Sequence, residues 1–77
     1  MNTGKLFALE SLRIDSEYLS FRVNSKEYRF RLSEISSRLA NASEKERNAY
    51  SVSPSGYGIH WEMLDEDLSI KSLIQRQ

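Results

Sequence analysis

The chain has 77 residues, of which 39% are hydrophobic and 29% charged, with eleven basic side chains against eleven acidic ones and no cysteine. A chain of that length is expected to form one domain, residues 1–77, burying only about 60–65% of its unfolded surface, which leaves little room for a deep substrate cleft. Zero net charge excludes a whole-molecule pull toward nucleic acid or anionic lipid, and the lack of Cys excludes a disulfide framework, a thiolate nucleophile and a Cys-based zinc site.

The first ten residues carry one positive charge and no apolar run of signal-peptide length before Glu10. No segment approaches the roughly 20 apolar residues needed to span a bilayer, so a cytoplasmic protein without membrane contact is expected. Leu12 and Ile14 alternate with Arg13 and Asp15, then Leu19, Phe21 and Val23 with Ser20 and Arg22, then Tyr28, Phe30 and Leu32 with Arg29 and Arg31. Period two repeated three times predicts three strands, each with one wet and one dry side. The connections Asp15-Ser16-Glu17 and Asn24-Ser25 are short, polar and tolerant of left-handed backbone, as hairpin turns require. The first half therefore predicts an antiparallel meander.

After Leu32 the period changes. Ile35 and Leu39 lie three and seven residues further on, and Ser33 is placed to cap a helix over about 34–40. Ser43-Glu44-Lys45-Glu46 has the capping-box pattern and would open a second helical turn reaching Asn48 or Ala49. Because the stretch from Asn41 to Asn48 is polar nearly all round, it is expected to be the most mobile part or a plain loop. Tyr50 to Ser53 alternates again, Pro54-Ser55-Gly56 turns, and Gly58 to Trp61 reads as a short strand with Ile59 and Trp61 inward and His60 outward. Gly56 and Gly58 are read as allowing positive φ and close backbone approach beside Trp61. Leu68, Ile70, Leu73 and Ile74 form a helical stripe, with Asp65, Asp67 or Ser69 as cap. The order predicts an α+β fold: a single antiparallel sheet, made of the three-stranded N-terminal meander plus two short C-terminal strands, packed on two or three short helices. Phe21, Tyr28, Phe30, Leu39, Ile59, Trp61, Leu68 and Leu73 are the expected core.

The segment Gly56-Tyr57-Gly58-Ile59-His60-Trp61, followed by Leu64-Asp65-Glu66-Asp67-Leu68-Ser69 and Leu73-Ile74, resembles the C-terminal signature of a small bacterial family, domain of unknown function 2442. The overall plan is similar too. Glu62 departs from the Pro common after the Trp in that family, and Ser72 from the Gly that often precedes the terminal apolar pair. The resemblance implies no established catalytic activity. It implies a prokaryotic accessory protein, often encoded beside another small protein and in some members found in toxin-antitoxin-like settings. Some members are fused to a helix-turn-helix, and no such appendage is expected in a chain ending at Gln77.

His60 with Glu62, Asp65, Glu66 and Asp67 is the one cluster with residue types suited to metal ligation or acid–base work. A single His, without a second ligand at helical spacing or a Ser/His/Asp spacing, points instead to acids that oppose a helix dipole. Gly56 and Gly58 lack the third Gly and the βαβ context of a nucleotide loop. No cofactor and no metal are therefore expected. Arg13, Arg22, Arg29 and Arg31 fall on the wet side of the meander, where Tyr18 and Tyr57 would join them and Glu10, Glu17 and Glu27 would pair with them. A non-enzymatic binding module acting through a protein partner is the favoured reading. That partner would be an adjacent-gene product or a second copy joined at a sheet edge, with Arg22, Arg29, Arg31, Tyr57 and His60 as candidate contacts. Nucleic-acid binding through the arginine-bearing face is the first alternative, and a small metal-dependent or acid–base enzyme using His60 the second.

Overall fold

A computed structural model of the chain describes residues 9–54 and 57–76. Three antiparallel strands, β1 (Leu9–Ile14), β2 (Tyr18–Val23) and β3 (Lys26–Arg31), form the expected meander in the order β1-β2-β3. Asn24 and Ser25 have φ of 52° and 69°, so both central residues of the β2–β3 hairpin are left-handed, the geometry that matches strand twist. In the other turn, Asp15 Oδ1 accepts the backbone N–H groups of Glu17 (2.8 Å) and Tyr18 (2.7 Å). The register sets Phe21 opposite Leu12 and Tyr28, and Leu19 opposite Ile14 and Phe30, so the apolar residues of three strands share one side. A bulge between Leu9 and Ser11 leaves Glu10 as an extra residue in β1.

The expected helix over 34–40 is two single turns, α1 (Leu32–Ile35) and α2 (Ser37–Ala40), separated by an extended Ser36. Ser33 lies inside α1, which has no side-chain cap; Ser36 caps α2 instead, accepting from the Leu39 N–H at 3.2 Å. Serines at 33, 36 and 37 compete with the helix for backbone hydrogen bonds, which explains the break. The segment expected to be loose holds α3 (Glu44–Asn48). Its capping box is complete, with Glu46 N–H donating to Ser43 Oγ (3.2 Å) and Ser43 N–H to Glu46 Oε1 (2.9 Å).

A second three-stranded sheet follows, ordered β4 (Tyr50–Val52), β5 (Gly58–Trp61) and β6 (Glu66–Ser69), and closed by α4 (Ile70–Gln75). The α+β class stands, but the single five-stranded sheet is corrected to two sheets of three. The difference is β6. After a 3₁₀ turn over Glu62–Leu64, Asp65 takes left-handed backbone (φ 51°, ψ 47°) and reverses the chain, and the acidic run becomes a strand rather than the approach to a helix. Leu68 is accordingly a strand residue opposite Ile59, and the cap of α4 is Ser69, whose Oγ accepts from Ser72 N–H at 3.1 Å; neither Asp65, which instead closes the 3₁₀ turn, nor Asp67 caps α4. Gly58 does not have positive φ, and a Cβ there would meet Leu68 O at 3.7 Å and Ser53 Oγ at 3.8 Å, ordinary contacts; the expected close approach is absent. Gly56 lies outside the described residues.

Both sheets turn their apolar sides into one core. Leu19, Phe21 and Val23 of β2, Leu32, Leu39, Ile59 and Trp61 of β5, Ile70 and Leu73 are buried. Tyr28, Phe30 and Leu68, on edge strands, are half-buried and pack against it; the Phe21 ring stacks on Tyr28 and Phe30 at centroid distances of 5.6 and 5.8 Å. Polar bonds join the halves. Ser36 Oγ donates to Glu66 Oε2, Arg38 Nη1 donates to the carbonyls of Asp65 (2.7 Å) and Leu64 (3.2 Å), and Trp61 Nε1 donates to the Arg47 carbonyl (2.8 Å). Among the described residues no helix is long and apolar enough to cross a membrane.

Two stability predictions follow from this packing. Trp61→Ala removes the largest buried side chain, at a cost of about 3–5 kcal/mol, against a total margin on the order of 5–10 kcal/mol for so short a chain. Thermal melts followed by circular dichroism should show the cooperative transition lost or moved to much lower temperature, and a melt within a few degrees of wild type would refute this. Ser36→Ala strips the half-buried Glu66 carboxylate of its donor and should cost about 1–3 kcal/mol in urea unfolding. The part of that loss owed to the pair should vanish when Glu66 is already Ala, while the part owed to the lost cap on the Leu39 N–H should remain.

Candidate functional site

The side of the first sheet turned away from the core carries, by register, Ser11 and Arg13 from β1, Tyr18, Ser20 and Arg22 from β2, and Glu27, Arg29 and Arg31 from β3. Alternation puts them there: between them within the strands stand Leu12, Leu19, Phe21, Tyr28 and Phe30, which are turned to the core. Arg13, Arg22, Glu27, Arg29 and Arg31 are exposed.

Tyr18 organises two of the arginines. The Arg29 guanidinium lies 4.0 Å and that of Arg31 5.1 Å from the ring centroid, and Arg31 Nη2 donates to the Tyr18 hydroxyl at 3.0 Å. Such cation–π contacts hold a flexible cation in one place. The expected neutralisation by Glu10, Glu17 and Glu27 is nearly absent: Arg22 Nε stands 3.9 Å from Glu10 Oε1, a long contact between two exposed side chains, and Glu27 faces Arg22 in register without closing a pair. Among the described residues, no carboxylate comes within 4.0 Å of Arg13, Arg29 or Arg31. Arg13, Asp15, Tyr18, Ser20, Glu27 and Arg29 are walls of an open basin of about 770 Å³ on this face. At its rim the N–H groups of Tyr18 and then Glu17 hold the Asp15 carboxyl below the usual aspartate range, helped by the charges of Arg29 and Arg47.

His60 and Tyr57 belong elsewhere. His60 lies on the outer side of the second sheet, and its Nδ1 meets Asp67 Oδ1 at 2.7 Å, which places the ring proton on Nδ1. Ser51 is opposite His60 on β4 and Asp67 opposite it on β6, so the register lines up serine, histidine and aspartate. That row was invisible in the sequence, where the three are nine and seven residues apart and only strand pairing joins them. It falls short of a nucleophilic site: Ser51 makes no hydrogen bond to the imidazole, and the pair sits on an exposed strand surface, its His and Asp side chains 42% and 75% accessible. Among the described residues no three His, Asp or Glu side chains are grouped closely enough to hold a metal ion. Tyr57 is half-buried before β5, its carbonyl accepting from Ile70 N–H at 2.6 Å, and it does not line the arginine basin; the aromatic among the arginines is Tyr18.

A small α+β domain with an arginine-bearing sheet face that the described residues leave open is the class of molecule these features define. The sequence matches the family described as "Protein of unknown function (DUF2442)" over residues 9–77, and the chain belongs to that family. No curated protein and no solved structure matches it.

The lowered Asp15 pKa has a direct consequence for acid stability. A carboxyl depressed in the folded state stabilises the fold fully above its unfolded value of about 3.9, and that contribution disappears as pH falls through the lower folded value. The stability difference between wild type and Asp15→Asn, from urea melts at stepped pH, should therefore be constant above about pH 5 and shrink toward pH 2. A difference independent of pH would show that the turn does not favour the charged form.

Proposed function

We propose that this chain is a non-enzymatic binding module of the cytoplasm that acts through a protein partner docked on the outer face of the β1-β2-β3 sheet. The observation that carries the proposal is the open face itself: arginines held around Tyr18, interleaved with Glu27 and serines, with no element of the described residues packed over them. Mixed charge with an aromatic at the centre suits a protein surface, where Arg and Tyr are enriched. The family resemblance supports an adjacent-gene product as the partner, in an antitoxin-like pairing, with a second copy joined at a sheet edge as the other form. A second reading, binding of single-stranded nucleic acid by the same face, is favoured by the guanidiniums of Arg13, Arg29 and Arg31 that lack carboxylate partners among the described residues.

Tagged protein purified from its host at physiological salt should carry one stoichiometric companion in native mass spectrometry, and the R29E/R31E variant should lose it. Recovery of a bare monomer at physiological concentration argues against the module. An affinity for single-stranded oligonucleotides that falls steeply between about 50 and 200 mM salt would transfer the function to the second reading.

A further inference from the structure

We infer that the partner presents an extended, carboxylate-bearing segment to this face, with Arg13, Arg29 and Arg31 as its anion contacts; the inference rests on the protein-partner reading and specifies its chemistry. The guanidinium is a planar fork that matches a carboxylate with two parallel hydrogen bonds. Arg29 and Arg31 are already stacked on Tyr18, and Arg31 gives one N–H to its hydroxyl, leaving others for a ligand. Side chains fixed before binding lose less rotamer freedom on binding. Arg29 and Arg31 are also two residues apart on one strand, so their spacing is the repeat of alternate side chains in any extended segment, about 6.6 Å. An acidic peptide running along β3 meets them in register.

The same surface discriminates against the other occupants. Glu27 and Asp15 line the basin with Arg13 and Arg29 and would repel a continuous run of phosphates, while a peptide offers them N–H donors. Arg29 lies against the Tyr18 ring, the aromatic that a base would otherwise stack on. In the chain's own acidic stretch Asp67 is paired with His60 and Glu66 accepts from Ser36, so a second copy brings fewer available carboxylates there than its sequence suggests.

The test uses fluorescence anisotropy with three labelled probes: a peptide of about twelve residues alternating Glu and Ser, the same peptide with Gln for Glu, and an oligothymidylate of similar length. The Glu peptide should bind saturably, the Gln peptide about tenfold or more weaker, and R29Q/R31Q should weaken the Glu peptide by a similar factor. R29K/R31K keeps the charge but not the planar fork, and should fall between wild type and R29Q/R31Q. Circular dichroism of each variant confirms that the fold is retained. No saturable binding of the Glu peptide, or equal binding by a folded R29Q/R31Q, overturns the inference. If R29E/R31E loses its co-purifying companion and yet the Glu peptide shows no saturable binding to wild type, the acidic chemistry fails while docking on this face stands. Oligothymidylate binding tighter than the Glu peptide overturns both.

Discussion

The indole of Trp61 is the largest side chain buried in this protein, and its N–H must find an acceptor or impose the cost of an unsatisfied donor. The acceptor is the carbonyl of Arg47, near the end of α3, one of the terminal carbonyls that a helix leaves without an internal partner. One bond therefore satisfies two groups. It also fastens to the core a segment that contributes no buried residue and is otherwise held by its own capping box and by Arg47 Nη1 on the Ala42 carbonyl. The polar stretch from Asn41 to Asn48 is ordered by what Trp61 requires as much as by its own propensity.

The same economy runs through the fold. Each helix has only four to six residues, so most of its backbone groups are terminal groups that need side-chain or tertiary partners. Polar side chains are used up in meeting that need: Asp15 on the Glu17 and Tyr18 amides, Ser36 and Ser69 as caps, Arg38 on the carbonyls of the 3₁₀ turn, Ser53 on the Gly58 amide. With the structural duties assigned, the arginines around Tyr18 are left over. Beyond the help Arg29 gives the Asp15 carboxylate, no cap or core contact among the described residues requires Arg13 or Arg29 to be cationic, and that surplus marks the face more clearly than its charge does.

Much of this was legible in the chain because period-two patterning is unambiguous where three strands repeat it and Asn24-Ser25 separates two of them. The capping box at Ser43 was legible for a similar reason, since both of its bonds are local. The acidic run misled because two periods overlap in it. Leu68 and Ile70 alternate as a strand would, while Ile70, Leu73 and Ile74 recur as a helix would, and Leu68 fits either. Only the left-handed turn at Asp65, which no neighbouring residue announces, settles the matter. The face was half legible: alternation placed the arginines, but whether Glu27 or Glu17 would neutralise them depends on rotamers that sequence does not encode. Tyr18 escaped emphasis because its role comes from Arg29 and Arg31 on another strand.

Strand addition at an edge is the usual way a small sheet acquires a partner, and here each edge of the first sheet resists it. The bulge at Leu9/Ser11 interrupts the regular ladder that a new strand beside β1 would need. Along β3 the charged side chains of Lys26, Glu27, Arg29 and Arg31 crowd the border, and the chain turns at once into α1. Devices that keep neighbouring strands away leave the flat of the sheet as the accessible surface, and the side chains anchored there are guanidiniums on a phenol ring. A partner that reads this protein through side chains rather than backbone would be selected by charge and planarity, which is the discrimination an arginine–carboxylate pair performs and a backbone ladder does not.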